Sequence, residues 1–152
     1  MTSDYNTIYS WFLKNVEDYK LATLPEDNIR ELMLGWFKGV LAYPHVARLF
    51  TEFSLDDETQ TFTYTLDTVT NDLADELFVL SVLSKGMLIE WLTPKVDSIT
   101  NIAQMYGEKE QKFYSQANHL SELRALLQDN EVSLRKLIRD RGFLHNSYID
   151  EG

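Results

Sequence analysis

From Leu77 to Leu92 the chain is apolar on nearly every helical face, interrupted only by Ser81, Ser84, Lys85 and Glu90 beside Gly86. A helix that apolar all round is one on which other helices pack. Thr70 or Asn71 reads as its N-cap, and Asp72, Asp75 and Glu76 place carboxylates at the positive end of its dipole. Pro94 disfavours helical geometry at Thr93 and sets the expected end. Residues 3–18 carry Tyr5, Ile8, Trp11 or Phe12, Val16 and Tyr19 at helical spacing, with Ser3 as the cap. After a turn at 21–24, Thr23 caps a second helix opened by Pro25 and Glu26. Ile29, Leu32, Met33, Trp36, Phe37, Val40 and Leu41 form its apolar face, and Pro44 ends it. Gly35 and Gly39 fall on the opposite side, where such a pair either admits a close neighbour or only costs stability. Residues 97–105 read as a short helix closed by Gly107, and 107–113 as a polar connection. The last helix, about 116–141, repeats Leu120, Leu127 and Leu134 every seven residues, with Leu123 and Leu137 between them and Asn130 in the same stripe. Gly142 is its expected stop.

One segment breaks the helical period. Thr61–Leu66, TFTYTL, alternates threonine with Phe62, Tyr64 and Leu66, which is a strand signature. Before it, 45–53 reads as one short helix and 54–59 as a loop. A single strand leaves its backbone donors and acceptors without partners. Either it lies extended against the helices or its partner is another molecule. The expected fold is therefore all-α: a small helical bundle around a central buried helix at about 70–92, with one short extended or β segment at 61–66. Residues 1–143 form a single domain and 144–152 a flexible tail.

At 152 residues the chain has the length of one domain with a self-sufficient core. It has no cysteine, which excludes disulfides, thiolate metal sites and cysteine nucleophiles and fits a cytosolic or virion protein. No basic segment followed by an apolar run opens it, so no signal peptide is expected. The apolar run of about 16 residues at 77–92 contains Lys85 and Glu90 and falls short of a membrane span, so no membrane is expected. The net charge of −10 argues against nucleic-acid binding, which needs a basic face. That charge is uneven: residues 1–110 hold 8 basic and 18 acidic side chains, and 111–152 hold 6 of each. A molecule with two electrostatic ends suits ordered contact with its own copies or a partner.

Candidate chemistry is thin. His45, His119 and His145 lack a second ligand at metal-binding spacing, and Asp56-Asp57-Glu58 lacks the glycine and terminal glutamate of a calcium loop. No phosphate loop or nucleophile elbow is present. The expectation is a protein without catalytic, cofactor or metal residues. Trp11, Trp36 and Trp91 read as core anchors. Arg135, Lys136, Arg139 and Arg141 close the last helix, where cations suit the negative dipole end and can also grip an acidic neighbour.

Two stretches, EWLTPKVDS at 90–98 and FYSQANHLSELRALL at 113–127, resemble small helical proteins of tailed bacteriophages of Gram-positive hosts, the neck or head–tail connector proteins. The pattern includes Asp18-Tyr19, the step Trp91-Leu92-Thr93-Pro94 and the helix start Ser115–Asn118, and it covers about residues 5–143. The stretch 45–53 departs from it by being more apolar. The resemblance implies a structural virion protein without enzymatic activity, forming a ring between the capsid portal and the tail. That ring is expected to be dodecameric, in contact with the portal and with tail or further neck proteins, and made in the host cytoplasm. The expected partner interface comprises Phe62, Tyr64 and Leu66 of the unpaired strand, paired between subunits, and Arg135, Lys136, Arg139, Arg141 and Phe143 at the basic end. The competing reading is a small soluble helical protein that binds or regulates one partner.

Overall fold

Thr61–Leu66 does form a strand, and its backbone groups find partners on both sides within the same chain. The computed structural model describes residues 1–18, 28–106 and 111–144, with side chains for 1–16, 28–97 and 121–142. These form β1 (Thr2–Asp4), α1 (Tyr5–Asp18), α2 (Ile29–Leu41), α3 (Pro44–Ala47), β2 (Phe50–Asp56), β3 (Thr61–Leu66), α4 (Asp72–Tyr106) and α5 (Gln111–Leu144). The strands make one antiparallel sheet in the order β1-β3-β2. The fold is mixed α and β, still mostly helical, and this overturns the all-α expectation.

Two features hid the sheet. β1 is three residues long and runs straight into α1, so Ser3 reads as a helix cap although it is a buried strand residue opposite Phe62. In β2, Phe50, Phe53 and Leu55 recur at intervals of three and two. A bulge between Phe50 and Glu52 shifts the phase, so an interval of two looks like a helical interval of three. The helix expected across 45–53 is therefore only α3, which Pro44 begins at its first turn. Asp56 shapes the β2–β3 turn by accepting the amides of Glu58 (3.0 Å) and Thr59 (3.1 Å), and Gln60 takes the left-handed conformation at φ 55°. Tyr64 exchanges backbone bonds with Met1, its amide donating to the Met1 carbonyl at 2.8 Å and its carbonyl accepting from the Met1 amino group at 2.8 Å.

α4 is the spine. Asn71 caps it, its Oδ1 accepting the Ala74 amide at 2.8 Å. α1 and α2 pack on it, as does α5. Val82, Leu83, Met87, Leu88 and Leu92 are fully buried. Pro94 does not end the helix, which continues to Tyr106 and takes in the short helix expected at 97–105. Pro94 faces solvent, where the Glu90 carbonyl it leaves without a donor can turn outward, while buried Trp91, Leu92 and Val96 hold the other side. Among the described residues Asp72–Asp97 is long and apolar enough to cross a membrane, and 67% of its apolar window is buried within the protein. Gly142 lies inside α5, which runs to Leu144. The turn at 21–24, the Thr23 cap with Pro25 and Glu26, the connection at 107–110 and the tail at 145–152 lie outside the described residues.

The layers meet through aromatic rings. Phe12, Trp36 and Trp91 join α1, α2 and α4, with centroids 5.4 to 6.4 Å apart. Phe37 of α2 meets Phe62 of β3 edge-on at 5.3 Å, which seats the sheet on the helices. α2 crosses α4 at Gly86, where a Cβ would lie 2.5 Å from Val40 Cγ1. Gly86→Ala is therefore expected to destabilise by about 1–3 kcal/mol through overpacking. Gly35 has open space, so Gly35→Ala is expected to stabilise by roughly 0.5–1 kcal/mol. Urea unfolding of both variants reads the contrast.

Candidate functional site

The last three described turns of α5 have two faces. Leu134, Ile138 and Arg141 point into the protein, while Arg135, Lys136 and Arg139 are exposed. The α3 turn lies alongside and brings His45 and Arg48 to the same place. The two segments frame adjacent clefts. One, about 240 Å³, is bounded by Tyr43, His45, Thr93, Glu131 and Arg135. The other, about 430 Å³, is bounded by Arg48, Asp67, Thr68, Arg139 and Arg141.

Charge defines this groove. His45 stacks on Tyr43 with centroids 5.5 Å apart. Burial pulls its imidazole below the usual value, and the positive charges of Arg135 and Arg48 add to the shift. Arg48, Arg135 and Lys136 have no ion pair or side-chain hydrogen bond among the described residues. Among the described residues the nearest carboxylate to Arg139 is its neighbour Asp140 at 3.9 Å, with both side chains exposed, which is worth little. Tyr43 donates to Glu90 at 2.5 Å; burial raises its phenol pKa and the Glu90 carboxylate raises it further, so it stays protonated. Unpaired guanidinium groups around a cleft suit carboxylate or phosphate oxygens. Among the described residues no three His, Asp or Glu side chains are placed to hold a metal ion.

Arg141, expected at the interface, turns inward. Its Nη2 lies 2.8 Å from Asp75 Oδ1 and donates to the Thr68 carbonyl at 2.6 Å, and its guanidinium sits 4.4 Å from the Phe78 ring centroid. Asp75 is 1% exposed and also accepts the Thr70 amide. This buried pair fastens the end of α5 to the start of α4. Phe62, Tyr64 and Leu66 are likewise no interface: they are 0%, 1% and 6% exposed, because the inner face of the sheet packs on the helices. The Phe143 side chain lies outside the described ones. Of the expected set, Arg135, Lys136 and Arg139 are brought together at the surface. His45 and Arg48 join them from about 90 positions away, a proximity that no local spacing in the chain signals.

The opposite end of the β2–β3 hairpin is acidic. Asp56, Asp57 and Glu58 are exposed at its tip. Asp57 accepts from Lys38 Nζ at 3.0 Å and from the Tyr5 hydroxyl at 2.8 Å, bonds that hold its carboxyl below the usual range. β2 spans seven residues, so the tip lies on the order of 20 Å from the groove.

A folded-state imidazole held low makes the fold acid-sensitive. Above an unfolded value of ~6.5 both states are neutral; as pH falls toward the lower folded value, only the unfolded chain takes up the proton, so stability declines. His45→Gln is expected to flatten this part of the pH–stability profile, measured by thermal melts between pH 7 and pH 5.

The chain matches no protein-family model, no curated protein and no solved structure.

Proposed function

We propose that the protein is a structural component of a bacteriophage neck, a ring subunit that joins the capsid portal to the tail. The resemblance carried by Trp91-Leu92-Thr93-Pro94 and Ser115–Asn118 motivates this reading. The observation that supports it in the fold is a groove bordered by Arg48 and Arg135, which make no ion pair among the described residues, on a chain of net charge −10. Such a surface selects acidic protein partners and orients their approach. Assembly would take place in the host cytoplasm, and the finished position is the virion neck.

Deleting the reading frame from the phage genome that carries it tests the proposal. Electron microscopy of the lysate is expected to show DNA-filled heads and separate tails, and mass spectrometry of wild-type virions should find the protein. Intact virions from the deletion would refute it. The groove also suits a small helical regulator that binds one acidic protein. In that case the deletion leaves virions intact and the protein is missing from purified particles.

A further inference from the structure

We infer that the groove between α3 and α5 receives the acidic β2–β3 hairpin tip of a second copy of this chain, so that subunits join head to tail. This rests on the ring-subunit reading and names the contact that would build the ring. Charge is the first reason. Arg48 and Arg139 border the larger cleft; the carboxylates beside them among the described residues are Asp67 in its lining and the exposed Asp140, 3.9 Å from Arg139, while Arg141 is paired internally. At the tip, Asp56, Asp57 and Glu58 face one cation among the described residues, Lys38.

Rigidity is the second. The tip is already ordered by the Asp56 turn bonds, the Tyr5–Asp57 hydrogen bond and the Tyr5 amide donating to the Gln60 carbonyl at 2.9 Å. A preorganised tip loses little conformational freedom on docking. Glu58, whose carboxylate has no ion pair or side-chain hydrogen bond among the described residues, is placed to meet a guanidinium. Geometry is the third. Tip and groove sit at opposite ends of one hairpin, on the order of 20 Å apart, so a copy cannot fill its own groove. Two different patches joined in this way make a heterologous contact, which closes into a ring when the rotation allows.

Altered charge on either side tests the contact. The groove variant is Arg48→Glu with Arg139→Glu, and the tip variant loses its charge without reversing it, Asp57→Asn with Glu58→Gln, so that the altered tip cannot pair with the reversed groove; all four positions are exposed. The wild-type chain is expected to self-associate in dilute buffer and to dissociate in about 1 M salt, where charges are screened within about 3 Å. Light scattering should show each variant alone weakened roughly tenfold or more. The decisive arm is an equimolar mixture. The groove variant keeps a native tip and the tip variant keeps a native groove, so one sound contact per pair remains. Heterodimers that grow no further are expected, and their formation shows that both variants are folded. A wild-type chain that stays monomeric at every salt concentration overturns the inference, as does either variant associating like wild type or a mixture growing beyond dimers. If the genomic deletion blocks head–tail joining while these variants associate normally, the tip contact is wrong and the ring-subunit reading stands.

Discussion

Arg141→Ala is expected to lower the unfolding free energy by about 3–5 kcal/mol, far more than the exposed cations Arg135, Lys136 and Arg139 of the same helix end. The reason is burial. The Arg141 side chain is 10% exposed and its partner Asp75 only 1%, so truncation strands a carboxylate where water cannot reach it. It also removes a donor from the Thr68 carbonyl and a cation from the Phe78 ring. Asp75→Ala should cost a similar amount, since it removes the carboxylate that pairs with the guanidinium and that accepts from the Thr70 amide. Replacing both partners, Asp75→Leu with Arg141→Met, should recover most of the loss, because the desolvation of two charges is then avoided. Arg135→Ala, at an exposed position in the same helix, should stay within about 0.5 kcal/mol of wild type. Urea unfolding followed by circular dichroism separates these cases. Equal effects at Arg135 and Arg141 would contradict the assignment of Arg141 to the core.

Phe62→Ala should cost about 3–5 kcal/mol. Phe62 is fully buried and touches the rings of Phe37, Phe50, Phe53 and Tyr64, so it joins two strands to α2. Had β3 served as an arm reaching another subunit, this truncation would impair assembly and leave the monomer's stability unchanged. Proline at Thr63 divides the two views in the same way. In a central strand, paired to Thr2 on one side and Ser54 on the other, it breaks the ladder and destabilises the fold. Equilibrium unfolding of both variants gives the answer.

The long helices were legible because each carries a sustained apolar pattern. Tyr5, Ile8, Phe12 and Val16 are all buried, as are Met33, Phe37, Val40 and Leu41, and α4 is the buried spine its composition suggests. The sheet was not, because its two outer strands are masked locally. Thr2, Ser3 and Asp4 are the residues of a helix cap, and the bulge near Thr51 displaces Phe50 from the alternation of Phe53 and Leu55. Only the strand flanked on both sides, and so free of bulges and caps, reads cleanly. Helix ends were misjudged where packing outweighs propensity, as at Pro94 and Gly142.

At the groove, Arg135, Lys136 and Arg139 were visible as a run of cations. Nothing in the run distinguishes Arg141, which faces the core because it follows Leu134 and Ile138 around the helix at the same angular phase. His45 and Arg48 belong to a stretch whose pattern is too short to orient, and Gly86 acquires its meaning only from Val40 across the helix crossing. Such pairings are made by topology, and topology depended on the strands that were hidden.

The central claim is that the sheet closes within one chain and that contact between copies is left to the charged ends. Hydrogen exchange on the associated protein and on the salt-dissociated monomer tests it directly. Amides of Phe62 to Leu66 should be protected to the same degree in both states, with added protection on association confined to the hairpin tip near Glu58 and the groove around Arg48 and Arg139. Fast exchange along β3 in the monomer, slowed only on association, would contradict it.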